Sequence, residues 1–123
     1  MDAAQNSTTS VTPEGIELPA VLAAHLSAHE AHDVERELAC YAEAATVTDD
    51  GRTYRGTAEI RAWLGRAASE YTYTSVLTAV RQEDADHWTA VRHLEGNFPG
   101  GVVDLRYRYT LNADRITTLT IAP

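Results

Sequence analysis

The stretch ATVTDDGRTYRGTAEIRAWL, residues 45–64, decides the fold. It begins with the β-prone residues 46–48 and runs into a turn signal, Asp49-Asp50-Gly51. Thr57 is a good helix N-cap. The apolar residues after it recur at the spacing of one buried helix face: Ile60, Trp63, Leu64, Ala67 and Ala68. This stretch therefore predicts a strand, a turn and an amphipathic third helix.

Two shorter helices are predicted upstream of this stretch. The first runs from about Leu18 to Ala31, with Val21, Leu22, His25, Leu26 and His29 at helical spacing. The second is short and capped by Asp33. Its apolar stripe comprises Val34, Leu38, Tyr41 and Ala42. Residues 1–15 are polar and rich in Ser and Thr, so we expect a flexible tail before a single domain at 16–123.

Downstream, from Tyr71, the apolar period changes from about 3.6 to 2. Four strands are predicted at about 71–82, 87–97, 102–111 and 115–121, with turn chemistry between them that favours an antiparallel meander. The third strand has one apolar face: Val103, Leu105, Tyr107, Tyr109 and Leu111. Helices followed by strands predict an α+β fold, with three helices packed on one face of a curved antiparallel sheet.

The composition excludes several classes of protein. The 123 residues carry 18 acidic and 10 basic side chains, a formal charge of -8, which disfavours nucleic acids and anionic membranes as partners. Cys40 is the single cysteine, so no internal disulfide can form. No apolar run approaches the roughly 20 residues of a membrane span, and no signal peptide is evident. We therefore expect a cytoplasmic protein.

Three segments carry a resemblance to a known family: YAEAATVTD (41–49), YRGTAEIRAW (54–63) and NFPGGVVDLRYRY (97–109). With the order of the elements, they resemble the nuclear transport factor 2-like superfamily, in its SnoaL-like and ketosteroid-isomerase-like branch. The resemblance implies a cone-shaped, cystatin-like α+β barrel with a hydrophobic pocket. It also implies a small hydrophobic ligand or substrate, a homodimer formed through the sheet face, and no cofactor.

When the sequence is aligned without gaps on the ketosteroid isomerase pattern, some catalytic positions of that pattern are matched and others are not. Asp49 falls on the general base, Tyr41 on a residue that is tyrosine in some members, and His25 on the oxyanion-binding tyrosine. The protonated aspartate of the oxyanion hole falls near Leu105. Asp104 is one residue away, but one step along a strand reverses the side-chain direction. Steroid isomerisation is therefore not predicted.

Each proposed site residue has a functional and a structural interpretation. Asp49 is either a base at the pocket mouth or part of a simple hairpin turn. His25 is either an acid paired with Asp49 or a core histidine with its hydrogen bonds satisfied. The predicted ligand-binding residues, which equally suit a packed core, are Tyr41, Trp63, Leu105, Tyr107 and Tyr109.

Three histidines of the first helix and Arg92 on the second predicted strand also have alternative interpretations. His25, His29 and His32 lie near one helix face, but no recognised metal signature is present, so no metal site is predicted. His29 and His32 suit the helix end, where cationic histidine favours the dipole. Arg92 would be a buried charge if inward; we favour an outward position on the dimer face, with Arg106 and Arg108.

The predicted function is SnoaL-like small-molecule binding. Its enzymatic form would be acid/base isomerisation, cyclisation or dehydration of an apolar carbonyl or polyketide-like substrate, with Asp49 as base and His25 or a tyrosine as acid. One alternative is a non-catalytic dimeric module that binds a ligand or a partner. Another is water addition to an epoxide, which in this family requires an inward arginine, here Arg92, between two carboxylates.

Overall fold

The computed structural model describes residues 17–123, and for Ala68 the backbone only. The predicted tail at 1–15 lies outside the described residues. The elements in chain order are α1 Ala20–Glu30, α2 Val34–Leu38, β1 Tyr41–Asp49, β2 Arg52–Arg55, α3 Gly56–Glu70, β3 Tyr73–Gln82, β4 His87–Gly96, β5 Val102–Asn112 and β6 Arg115–Ala122. Within 17–123, no helix has the length and apolar character needed to cross a membrane.

The strands form one curved open sheet in the order β2-β1-β6-β5-β4-β3. The predicted meander β3-β4-β5-β6 is antiparallel throughout, and its strand bounds agree with the prediction to within two residues. One pairing departs from the expected antiparallel sheet, because β1 runs parallel to β6. Register shifts in β1, β3 and β6 bend the strands, since a bulge adds local twist and curvature.

The turn signal at 49–51 forms a two-residue hairpin loop. Asp49 pairs with Arg52, and the loop residues Asp50 and Gly51 have φ values of 54° and 79°. Positive φ at both loop positions is the geometry of a type I′ turn, whose twist matches that of the flanking strands. The hairpin returns the chain to the start of α3.

Two predicted helix boundaries were wrong. The second helix ends at Leu38, and Tyr41 and Ala42 belong to β1. Tyr41 pairs with Ile116 of β6, a partner that local periodicity could not reveal. The third helix begins at Gly56, with Arg55 at the N-cap, so Thr57 lies inside the first turn. The Glu59 carboxylate accepts a 2.8 Å hydrogen bond from the backbone N–H of Arg55, which replaces the expected threonine cap.

The core lies between the helices and the inner face of the sheet. In α3, the predicted stripe residues Ile60, Trp63 and Leu64 are buried. The side-chain alternation predicted for β5 is confirmed: Tyr107 and Tyr109 are buried, and Arg106 and Arg108 are exposed. The remaining residues of the main hydrophobic cluster include Leu22, Leu26, Val47, Trp88, Ile116, Leu119 and Ile121.

Candidate functional site

A cavity of about 380 Å³ opens between helix α3 and the inner face of the sheet. Its walls are mostly apolar, as is usual for sites that bind small molecules. The polar side chains that reach it are His29, Asp49, Asp50, Glu70, Tyr71, Tyr73 and Tyr107. The larger apolar side chains around it are Trp63, Leu94, Phe98, Val103, Leu105 and Ile121.

Asp49 lies in this cavity, at the last position of β1. Its Oδ2 accepts a 3.0 Å hydrogen bond from the indole Nε1 of Trp63, on α3. Burial raises the pKa of Asp49 more than the Trp63 hydrogen bond lowers it, and the negative charges of Asp50 and Glu70 raise it further. The carboxylate is therefore held in place by α3 and is a stronger base than an exposed aspartate.

Tyr107 lies in the same row of the sheet as Asp49. Asp49 pairs with Ile121 on β6, and Ile121 pairs with Tyr107 on β5. Neighbouring strands are about 4.8 Å apart, so the two Cα atoms are separated by roughly 10 Å. Both side chains lie on the inner face and line the cavity. A carboxylate acceptor and a phenol donor thus flank one volume.

His29 connects the cavity to a buried carboxylate. Its Nε2 is 3.2 Å from the hydroxyl of Tyr107, and its Nδ1 is 2.9 Å from Oε2 of Glu37. Burial alone would raise the pKa of Glu37, but hydrogen bonds from His25 and His29 outweigh it and lower it to about 2. Because an ionised carboxylate only accepts, Nδ1–H of His29 donates to Glu37 and its Nε2 faces Tyr107.

His25 is fully buried behind the cavity wall. Its Nε2 is 2.9 Å from the hydroxyl of Tyr41 and 3.1 Å from Glu37, and its Nδ1 is 3.2 Å from the hydroxyl of Tyr109. Burial lowers the pKa of His25 more than Glu37 raises it. A neutral imidazole fits these contacts, with Nε2–H directed at Glu37 and Tyr41 while Nδ1 accepts from Tyr109.

The structure separates the predicted site residues into two groups. Asp49, Trp63, Leu105 and Tyr107 line the cavity. His25, Tyr41 and Tyr109 do not; they form the buried hydrogen-bonded group behind it.

Three polar side chains of the site were missed from the sequence: His29, Glu37 and Tyr73. His29 had a signal, since it follows His25 by four positions on the same helix face. Glu37 had none, because the reversal of the chain at His32, with φ of 56°, brings α2 back against α1.

The prediction that Arg92 lies on the outer face was wrong. It is 1% exposed and shares the inner face with Leu94, as strand parity allows. Its guanidinium donates to Glu30 at 3.3 Å, to Ser75 at 3.2 Å and to the carbonyl of Leu26 at 3.3 Å, which offsets the cost of burying the charge. Within residues 17–123, it reaches one carboxylate rather than two, and it does not line the cavity.

Comparison with known proteins gives structural matches only. No protein-family model matches the sequence, and no protein of curated function does either. A candidate polyketide cyclase from Sinorhizobium meliloti superposes with a TM-score of 0.80 at 27% identity, covering 85% of this chain and 95% of the other.

Two more distant structures have the same fold. A Catenulispora acidiphila protein with a ketosteroid isomerase-like fold, in complex with trimethylamine, has a TM-score of 0.73 at 19% identity and covers 85% of each chain. A Mycobacterium tuberculosis protein in complex with estradiol-17β-hemisuccinate has a TM-score of 0.68 at 20% identity, covering 84% of this chain and 90% of the other. The element order, the curved sheet and these likenesses agree: the chain has the fold of the nuclear transport factor 2-like superfamily.

Proposed function

We propose that the protein binds a small apolar carbonyl compound in the cavity and moves a proton at the carbon next to the carbonyl. The reaction would be an isomerisation, a cyclisation or a dehydration. The observation that carries this proposal is the pair formed by Asp49 and Tyr107, which face one apolar cavity of about 380 Å³ from the same row of the sheet. That volume is within the usual range for ligand sites.

Asp49 is the proposed base. A carboxylate whose pKa is raised by burial holds a proton more firmly than a solvated one, which brings its basicity closer to that needed near neutral pH. The Trp63 N–H fixes one carboxylate oxygen at 3.0 Å and leaves the other to meet the ligand. The apolar walls limit the contact of the carboxylate with water, which strengthens its electrostatic effect.

Tyr107 is the proposed donor to the carbonyl oxygen, where negative charge develops as the proton leaves; on ligand binding its single O–H would turn from Nε2 of His29 to that oxygen. His29 and Glu37 hold the phenol from behind. His25, Tyr41 and Tyr109 are proposed as positioning residues, because they hold the other side of the same network. We therefore propose a tyrosine as the acid, one of the two options that the sequence left open.

The structural relatives support small-molecule binding. The Mycobacterium tuberculosis protein holds a steroid ester and the Catenulispora acidiphila protein holds trimethylamine. The Sinorhizobium meliloti relative, at 27% identity, is a candidate polyketide cyclase. The steroid ester and the likeness to a polyketide cyclase favour an apolar ring system as the ligand.

Exchange of the α-proton in D₂O tests the proposal without knowledge of the product. Cyclic ketones and aromatic polyketide fragments that stabilise the protein against heat would be incubated with wild type, Asp49→Asn and Tyr107→Phe, and deuteration followed by NMR. We expect Asp49→Asn to bind but to exchange at least about 100-fold more slowly, since general-base catalysis contributes at least that factor. Equal exchange by wild type and Asp49→Asn would exclude Asp49 as the base.

A non-catalytic ligand-binding module is the second proposal. It is favoured by the absence of the isomerase oxyanion pair, since Leu105 stands near the position of the protonated aspartate. It predicts ligands that stabilise the wild type, with neither exchange nor conversion in any variant. The same screen therefore separates the two functions.

We also propose a homodimer formed through the outer face of the sheet. Val76 on β3 and Val102 on β5 lie at one end of that face and are 57% and 58% exposed. They flank His93 and Glu95 of β4 in adjacent rows. Light scattering of wild type and Val76→Asp tests this, because a charge at that position would weaken a dimer. A wild-type monomer at all concentrations would refute it.

A further inference from the structure

The end of the outer sheet face opposite Val76 and Val102 carries a second, chemically different site. A groove of about 360 Å³ is bordered by three exposed arginines, Arg81, Arg106 and Arg108. Its floor is made of small or short side chains: Ala79, Thr89 and Val91. We call this the arginine groove. It lies on the face of the sheet opposite the cavity that holds Asp49, and shares no lining residue with it.

Strand register brings the arginines together. Thr89 on the central strand β4 pairs with Arg81 on β3 and with Arg108 on β5, so these three residues form one row. Arg106 pairs with Val91 in the next row on the same face. Two strand spacings separate the Cα atoms of Arg81 and Arg108 by roughly 10 Å. Arginine side chains are long enough to converge over Thr89 from that distance.

The charges of the groove are not balanced by ion pairs with the residues that the structure describes. Four other arginines have a carboxylate oxygen within 4 Å: Arg36, Arg61, Arg92 and Arg115. Within residues 17–123, no such partner is found for Arg81, Arg106 or Arg108, although Glu83 stands at the rim. Like charges that converge over one strand repel one another, and an anion between them would offset that cost.

We propose that the arginine groove binds an oxyanion of the phosphate class, free or as an ester. A guanidinium presents two N–H donors in a plane that matches two oxygens of one phosphate, and two or three such groups can surround it. The hydroxyl of Thr89 in the floor supplies a further donor. A chain with a formal charge of -8 otherwise repels anions, so such binding needs a local cluster of arginines like this one.

NMR of the arginine Nε–H groups tests the proposal on the intact protein. Inorganic phosphate, pyrophosphate and a phosphoserine peptide would be titrated at constant ionic strength. We expect saturable shifts of Arg81, Arg106 and Arg108, and an affinity about tenfold lower in Arg108→Gln, the loss expected for one charged hydrogen-bonding partner. Arg115→Gln is the matched control, since it removes an exposed arginine that is already paired with Asp114.

The outcomes are distinct. Saturation by pyrophosphate or phosphate supports a site for a free anion, and saturation by the phosphopeptide alone supports an ester. No saturable shift with any probe, or an equal loss of affinity in Arg108→Gln and Arg115→Gln, overturns the proposal. Arginine shifts that follow protein concentration and ignore all probes would place a second copy of the chain in the groove and overturn it as well. Thermal melts of both variants confirm that each is folded.

Discussion

Asp49 and Tyr107 flank Ile121 in one row of the inner sheet face. Their separation is therefore set by two backbone pairings rather than by flexible side chains, so the proposed acceptor and donor are preorganised. Tyr107 follows Leu105 by two positions on β5 and lies on the same face. The family's oxyanion donor is lost at Leu105, but the strand offers a phenol to the same cavity one side chain further along.

Asp49→Asn is expected to raise stability while it removes base catalysis. Because burial raises the pKa of Asp49 in the folded state, its ionisation opposes folding, and stability falls as pH rises through that pKa. Asparagine keeps an oxygen for the Trp63 N–H and cannot ionise. Since the carboxylate is only partly buried, we expect a melting temperature roughly 1–3 °C above that of wild type at pH 7.

The pH dependence is the control for this prediction. Below the usual pKa of aspartate both folded and unfolded chains are protonated at this position, so the difference between variant and wild type should vanish near pH 3. Melting curves between pH 3 and 8 measure it. A gap that is constant over this range would mean that the effect is steric, and that the pKa of Asp49 is not raised.

Tyr107→Phe is expected to weaken ligand binding, whereas Tyr109→Phe is not. Both phenols hydrogen-bond a histidine at 3.2 Å, but only Tyr107 lines the cavity. Each loss of a buried hydrogen bond should cost about 1 kcal/mol of folding stability. Calorimetry with a carbonyl ligand from the screen should show about a tenfold weaker affinity for Tyr107→Phe alone. Equal weakening by both variants would indicate a structural effect and remove Tyr107 as a donor.

Local signals predicted most of the fold. Side-chain alternation in β5, the turn at 49–51 and the stripe of α3 each depend on neighbours in sequence, and each was confirmed. Errors arose where a distant partner decides. Local periodicity predicts that Tyr41 is helical, but its pairing with Ile116 of β6 makes it part of a strand. An unpaired Arg92 would be expected in solvent, but Glu30 and the carbonyl of Leu26 in α1 accept its hydrogen bonds inside the fold.

The site was less predictable than the fold. Asp49 could be placed at a cavity by resemblance, because it aligns with the general base of the ketosteroid isomerase pattern. Glu37 could not, because a glutamate in a short helix is normally solvated, and its burial follows from how α2 returns against α1. Once Glu37 is in place, its two histidines follow from the electrostatic requirement that a buried carboxylate be paired.

Glu37→Gln is expected to be strongly destabilising. The carboxylate is buried and accepts hydrogen bonds from both His25 and His29. A glutamine oxygen is an uncharged and weaker acceptor for the same two N–H groups, and its NH2 group would be buried among them. Weakening two hydrogen bonds to a buried charge costs about 3 kcal/mol, which should lower the melting temperature by roughly 10 °C. Calorimetry at pH 7 measures the change, and Glu35→Gln, an exposed carboxylate on the same helix, is the control.

The same residue predicts acid lability. The pKa of Glu37 is lowered to about 2, so its contribution is present above the usual glutamate pKa and is lost as pH falls toward 2. The lowered pKa of His25 acts in the same direction, because its protonation below pH 6.5 favours the unfolded chain. Wild type should therefore lose more stability than Glu37→Gln between pH 5 and 2. Parallel losses would show that Glu37 is not ionised in the folded protein.

A side chain would be crowded at Gly96, next to the cavity residue Tyr73, and would have open space at Gly65. A Cβ at Gly96 would lie 2.5 Å from the Cβ and 2.8 Å from the Cα of Tyr73, too close for either strand to accept without moving. Gly96→Ala should cost about 2–3 kcal/mol and, by shifting Tyr73, weaken ligand binding. Gly65 in α3 has no atom within 4 Å of such a Cβ, so Gly65→Ala should stabilise the protein by about 0.5–1 kcal/mol. Urea unfolding of the two variants measures both effects. A neutral Gly96→Ala would mean that β3 and β4 do not approach this closely at Gly96 and Tyr73.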